Sequence, residues 1–198
     1  LPSSEKAREV CLVLASASPR RRQILESLGL SFRVAPAEVD ETPRPGEPAP
    51  ELVVRLAREK AARIAAAEEL PVLGADTEVV LDGRVLGKPR SPGDARDMLG
   101  LLQGRTHEVL TGVCLIAGGR AWTGLSRTAV TFSSLSPEEI AAYVATGEPT
   151  GKAGSYHIEG RGGAFIEAVS GSPSSVAGLP AHLVRSLLLQ AGLWGGDA

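Results

Sequence analysis

The sequence lacks any apolar stretch long enough to span a bilayer, so a membrane-embedded protein is not expected. It has no excess of positive charge. A formal net charge of −2 argues against a dedicated nucleic-acid binder. Cysteine is scarce: Cys11 and Cys114 both lie inside apolar runs, so buried thiols are expected rather than a disulfide, which suits the cytoplasm. No Cys/His cluster has zinc spacing, and no Walker A motif is present, which argues against a kinase or P-loop NTPase. The glycine-rich passage from Gly151 to Gly163 is not a G-x-G-x-x-G fingerprint after a strand, so no Rossmann site is read there. None of the three histidines sits in a recognisable nucleophile context. There is no signal-peptide pattern, internal repeat or obvious linker. Leu1 to Arg8, without an initiator methionine, reads as a loose or trimmed start. Residues 1–10 are therefore expected to be disordered and 11–198 to form one domain.

What is present is an ordinary globular composition, 43% hydrophobic and 22% charged over 198 residues, long enough for a sizeable core. The most informative stretch is Leu12 to Arg22. The apolar run Cys11 to Ala15 reads as a buried strand. Ser18-Pro19 then supplies an N-cap and an N1 proline for a helix whose Ile24, Leu25 and Leu28 share a face and which stops at Gly29. A strand running straight into a helix N-terminus presents free backbone N–H groups beside the positive end of the dipole. With Ser16, Ser18, Arg20, Arg21 and Arg22 there, the composition is that of an anion cradle, phosphate foremost. The alternative is a capped surface helix with a solvated basic first turn, although arginines there oppose the dipole.

Further on, Phe32–Ala35 can be a strand and Pro36–Pro50 an acidic, proline-rich loop carrying Glu38, Asp40 and Glu41. Pro50 opens a helix with an apolar stripe through Leu52, Val53, Leu56, Ala57 and Ile64; Lys60 lies near it, where most lysines snorkel to solvent. In Val72–Thr77 an apolar run meets Asp76, then resumes as Val79-Val80-Leu81 before an Asp82-Gly83 hairpin signal. An aspartate between apolar strand residues is costly unless paired or metal-bound; a turn or bulge would also accommodate it. Ser91-Pro92 caps a helix ending at Gly104, and Ser136 to Glu139 forms a capping box. Strands are expected over His107–Thr111, Val113–Ala117, Arg120–Phe132 and Ala164–Val169, a turn at Gly171-Ser172-Pro173, and a last helix after Leu179-Pro180. The pattern predicts an α/β fold: a mixed twisted sheet flanked by helices, with a cleft.

The candidate parts are thus a phosphate cradle (Ser16, Ser18, Arg20, Arg21), separate cations (Lys60, Lys88) and carboxylates (Glu41, Asp76). Phosphoryl chemistry needs such parts: cations for phosphate oxygens, and carboxylates for a divalent metal and for orienting water. The stretches Ala15 to Arg21, Val39 to Glu41, Arg58 to Ala61, Gly74 to Thr77, Lys88-Pro89, Thr106-His107, Lys152 to Gly154, Ile158 to Gly160 and Gly178 to Pro180 follow one another in this order. Through them the chain resembles the Maf family, the septum-formation-inhibitor-like nucleotide pyrophosphatases.

That resemblance implies a two-lobed fold similar to the inosine triphosphate pyrophosphatases, and hydrolysis of a nucleoside triphosphate to monophosphate and pyrophosphate with Mg²⁺ or Mn²⁺. By position Asp76 matches the family's proton acceptor, and Ser16, Arg21, Glu41, Lys60 and Lys88 its other active-site residues. Glu41 and Asp76 are expected to hold the metal, with Lys60 and Lys88 at the leaving pyrophosphate. Arg20, Thr77 and Glu159 match positions that separate substrate subgroups. Arg20 and Thr77 are similar to the dTTP/UTP branch; Glu159 is similar to the branch acting on 7-methyl-GTP. The expected substrate is dTTP and UTP, with 7-methyl-GTP hydrolysis or a nucleotide-binding role in cell division as alternatives. A homodimer is left open; nucleic acid and membrane are not expected partners.

Overall fold

A computed structural model describes residues 12–194; Cys11 and the expected N-terminal tail lie outside them. The fold is organised by one seven-stranded mixed sheet in the order β2-β1-β3-β5-β6-β7, with β4 paired to β3. Short β1 (Leu12–Leu14) lies parallel to β2 (Phe32–Val34) and to the start of β3 (Val72–Leu81). The long strands β3, β5 (Thr106–Ala117) and β6 (Arg120–Phe132) are antiparallel, and β7 (Ile166–Ser170) closes the far edge. The Asp82-Gly83 turn, with φ of 50° and 78°, returns the chain into β4 (Arg84–Val85) as the hairpin signal predicted.

The helices follow their sequence marks with small corrections. Helix α1 (Pro19–Ser27) begins on Pro19, but the Ser18 side chain makes no capping bond. Helix α2 (Ala49–Ala65) carries the apolar stripe. Ser91 caps α3 (Pro92–Leu102) through the Asp94 N–H, and Ser136 with Glu139 completes the capping box of α4 (Pro137–Ala145). The turn expected at Gly171 to Pro173 runs into a short helix, α5 (Pro173–Val176), before α6 (Ala181–Gln190).

Two further corrections concern strands. Asp76 occupies neither turn nor bulge: β3 runs unbroken through it for 10 residues. Gly112 does not divide β5 either, because the strand is continuous from Thr106 to Ala117. Gly112 marks a close approach rather than a break, and so does Gly74 on the neighbouring strand. A Cβ on Gly112 would lie 2.3 Å from the Val53 carbonyl oxygen, and one on Gly74 would lie 2.3 Å from that of Ala57. The two glycines form a floor on which α2 rests far closer to the sheet than side chains would allow.

Side chains alternate along β3, so the sheet's two faces are served by alternate residues. Val72 and Val80 face α2. On the other face Leu73 and Ala75 join a core with Ile24 and Leu25 of α1 and Val184, Leu187 and Leu188 of α6. Val79 and Leu81 join a second core with α3, α4, Phe132 and Tyr156. Thr77 falls between these two cores, where the molecule divides into lobes. Among the described residues no helix is long and apolar enough to cross a membrane.

Gly112→Ala should push α2 off the sheet, and overpacking of this kind costs about 1–3 kcal/mol. The thermal unfolding midpoint should drop by several degrees, while Gly83→Ala, with open space around its Cβ but φ of 78°, should cost only local turn strain. Calorimetry of both variants checks the ordering.

Candidate active site

The sheet itself opens the site. The last ladder bond from the β1 side runs from the Ala15 N–H to the Leu73 oxygen, and β4 rejoins β3 only at Val80. Between them residues 75–78 pair with β5 on one side and, among the described residues, with no strand on the other. A cleft of about 680 Å³ occupies this gap, a size suited to a small-molecule ligand. Ser16, Ser18, Arg20, Arg21, Glu41, Lys60, Asp76, Thr77 and Lys88 all line it, so the structure brings together residues far apart in the chain.

The α2 side of the cleft is ionic. Lys60 is only 7% exposed and does not snorkel; this corrects the sequence expectation. Its Nζ lies 2.6 Å from Asp76 Oδ1 and 2.6 Å from Glu41 Oε1. Lys88 Nζ approaches the other Glu41 oxygen at 3.5 Å. Burial disfavours the charge on Glu41, but Lys60 and Lys88 outweigh it and hold the carboxyl below its usual range. Removing Lys60 would strip the buried Asp76 of its hydrogen-bonded counter-ion, leaving only the Arg21 charge, and breaking such buried pairs costs up to about 3–5 kcal/mol. Asp76 itself is 6% exposed, and its Oδ2 is buried without a hydrogen-bond partner.

Glu78, not singled out in the sequence, also lines the cleft, two residues along the strand on the Asp76 face. Its Oε2 is likewise buried and unpartnered. Burial, with Asp76 adding to it, pushes its carboxyl up to about 7. Period-two alternation from Asp76 was the signal that could have found it.

On the α1 side, Ser16 Oγ accepts from Arg21 Nη1 at 3.0 Å and from the Ser18 N–H at 3.2 Å, leaving its own hydrogen to donate. Arg21 Nε donates to the Gly178 carbonyl at 2.9 Å and Nη2 to Thr77 Oγ1 at 3.4 Å. Burial lowers the Arg21 pKa and Asp76 and Glu41 oppose that; the side chain serves as a structural tie between α1, β3 and the α5–α6 turn as well as a cleft cation. Thr77 Oγ1 also contacts Thr111 Oγ1 at 3.0 Å.

The opposite lobe contributes the glycine-rich passage, which folds as two short 3₁₀ turns, Ala153–Ser155 and Arg161–Phe165. Glu159 is not among the cleft-lining residues; it forms an ion pair with Arg20 at the mouth. His157, missed in the sequence, does line the cleft, and its Nδ1 lies 3.3 Å from Arg20 Nη2. Glu148 organises this loop from behind, accepting from Tyr143 Oη at 2.9 Å and from the backbone N–H groups of Arg161 and Gly162 at 3.1 and 3.0 Å. No local sequence pattern marks Glu148 for that task.

A buried cleft with a free carboxylate oxygen, a helix N-terminus and several cations can bind a polyphosphate and activate water beside it. Comparison with known proteins bears on which family does this. A sequence profile described as "Maf-like protein" matches residues 11–191. The chain belongs to the Maf family. This Maf protein is 54% identical over 186 residues to the dTTP/UTP pyrophosphatase of Anaeromyxobacter sp. (strain Fw109-5), covering 91% of the chain and 89% of the relative. It is 50% identical over 190 residues to the dTTP/UTP pyrophosphatase of Methylococcus capsulatus, covering 95% and 94%. It is also similar to the solved HAM1 protein of Coxiella burnetii, with 16% identity, a TM-score of 0.47, and 92% and 99% of the two chains covered.

The raised Glu78 gives a stability signature. Between its unfolded value near 4.5 and its folded value of about 7, the folded state binds the extra proton. Stability therefore falls as pH rises through this window. Glu78→Gln, measured with chelator present, should unfold at higher temperature than the parent at pH 8, and the gap should close at pH 5.

Proposed function

We propose that this protein is a nucleoside triphosphate pyrophosphatase that hydrolyses dTTP and UTP to the monophosphate and pyrophosphate. The observation that carries the chemistry is Asp76: Oδ1 is pinned by Lys60 at 2.6 Å, while Oδ2 stays buried with no partner. A carboxylate so held has one oxygen left to accept a proton, and it faces a cleft already furnished for phosphates. The substrate class is supported by relatives at 50–54% identity that are named dTTP/UTP pyrophosphatases.

In this reading the triphosphate lies along the α1 N-terminus. Backbone N–H groups, the Ser16 and Ser18 hydroxyls and Arg21 neutralise its charge. Water attacks the α-phosphorus and gives a proton to Asp76 Oδ2. The bond from the α-phosphorus to the oxygen bridging to the β-phosphorus breaks, and pyrophosphate leaves toward Lys88. Lys60 holds Asp76 and Glu41 in place rather than standing free as a phosphate cation, which alters the role first expected of it.

Glu41 and Asp76 would hold a divalent cation, Mg²⁺ or Mn²⁺, Asp76 through a water so that its Oδ2 keeps the proton-accepting role. The buried, partnerless Glu78 Oε2 on the same strand face fits a cation in this cleft. Among the described residues no three acidic, histidine or cysteine side chains form a ready metal cage. That suits Mg²⁺, which commonly takes one or two carboxylates and completes its shell with substrate phosphates and water. The cation supplies Lewis-acid polarisation of the phosphate oxygens.

The 7-methyl-GTP alternative rested on the resemblance of Glu159 to that branch, with its carboxylate facing the base. Glu159 lies outside the cleft lining and pairs with Arg20, which counts against the alternative.

Asp76→Asn keeps the shape of the side chain and removes the proton acceptor, and loss of a general base costs about 10²–10⁴-fold in rate. With UTP as substrate and products separated, the parent should release pyrophosphate and the variant should still bind nucleotide while turning over at no more than a hundredth of the parental rate. Release of single phosphates by the parent would contradict this reaction.

A further inference from the structure

We propose that His157 reads the pyrimidine at its 4-position, donating its Nε2–H to the O4 carbonyl oxygen of uracil or thymine. The inference rests on the dTTP/UTP reading and names a residue that selects the base.

The neighbours at Nδ1 bear on the tautomer. Arg20 is a donor only and its Nη2 lies 3.3 Å from His157 Nδ1, within hydrogen-bond reach, so Nδ1 accepts; Glu148 Oε1, at 3.9 Å from the same nitrogen, is too distant to accept a proton from it. The ring proton is then on Nε2. That atom is buried and has no hydrogen-bond partner, an arrangement that costs free energy until an acceptor arrives. Burial, then Arg20 and Lys152, outweigh the opposing Glu148 charge and hold the ring's pKa below the usual histidine value, which favours the neutral imidazole with its single donor.

The residue is also anchored. Its backbone N–H donates to Tyr143 Oη at 3.2 Å, and its ring lies so close over Gly160 that a Cβ there would come within 2.6 Å of Nδ1. A donor carried on an anchored backbone can discriminate. The cleft wall around it suits a base rather than phosphates: Val79, Val109, Ala153, Tyr156, Ile158 and Val176 are apolar or aromatic. The phosphate-binding groups gather instead at the α1 end.

Uracil and thymine differ from cytosine at position 4, where a carbonyl acceptor is replaced by an amino donor. A protein that prefers dTTP and UTP needs a donor facing that position, and His157 supplies one with nothing else to do. Cytosine would bring donor against donor and leave both unpaired, the costliest kind of mismatch.

The test is kcat/KM for UTP, CTP and 4-thio-UTP, whose sulfur is a weak acceptor, in the native protein and in His157→Phe, with unfolding midpoints alongside. The native protein should favour UTP over both analogues. His157→Phe should lower the UTP-to-CTP preference about tenfold, the effect of one lost hydrogen bond, and should no longer distinguish UTP from 4-thio-UTP. An unchanged preference overturns the proposal, and so does an equal loss on UTP and CTP, which would place His157 at the phosphates or in the scaffold. Should the variant not fold, equal turnover of UTP and 4-thio-UTP by the native protein overturns it alone. A native protein with no preference for UTP over CTP would instead defeat the dTTP/UTP reading itself.

Discussion

The close approach of helix α2 to the sheet is the constraint on which the site depends. Gly74 and Gly112 leave no Cβ between the sheet and the α2 backbone, where only 2.3 Å would separate such an atom from a carbonyl oxygen. Gly112 is the register partner of Asp76, so the floor and the carboxylate belong to one patch of sheet. A helix pressed this near carries Lys60 down to Asp76 and buries both. Desolvation alone would penalise either charge; their 2.6 Å contact, shared with Glu41, is what makes the burial tolerable. Packing without side chains at two positions thereby creates a polar cluster that a thicker interface would not permit.

That cluster sits at a gap in strand pairing. β1 is only three residues long, so β3 outruns it and exposes a stretch of unpaired strand edge. The two cores on the opposite face stop short of each other at Thr77. The cleft is therefore a consequence of unequal strand lengths as much as of any loop. Arg21 lines its floor on the α1 side, tied to Gly178 and Thr77, and Arg20 crosses at the mouth to His157 and Glu159. A nucleotide bound at the α1 N-terminus would then meet a residue, Arg20, that already ties the two sides together.

Local signals were legible in the sequence where the physics is local. Ser91, the Ser136–Glu139 box, Pro19 and Asp82-Gly83 specify helix starts and a hairpin through contacts within four residues, and each is found where expected. Ser18 shows the limit: the residue type suits a cap, yet its hydroxyl makes no capping bond, and its N–H turns to Ser16. Gly112 misled in the same way, because a glycine in a strand pattern signals either a break or a close approach, and only the position of α2 decides between them.

By itself the sequence determined the order of strands and helices, the family, and most of the polar residues that line the cleft, though not Glu78 or His157. Those are recorded in periodicity, turn chemistry and motif order, which are properties of neighbouring residues. Tertiary structure alone decided how these groups are used. Lys60 meets Asp76 across 16 positions, and the Arg20–His157 contact spans 137. The burial of Lys60, the free Oδ2 of Asp76, the withdrawal of Glu159 to an ion pair and the orphaned donor of His157 all depend on which distant groups arrive and at what distance. Hydrogen bonds and charges are sensitive to tenths of an ångström and to exclusion of water, and neither is written in the spacing of residues along a chain.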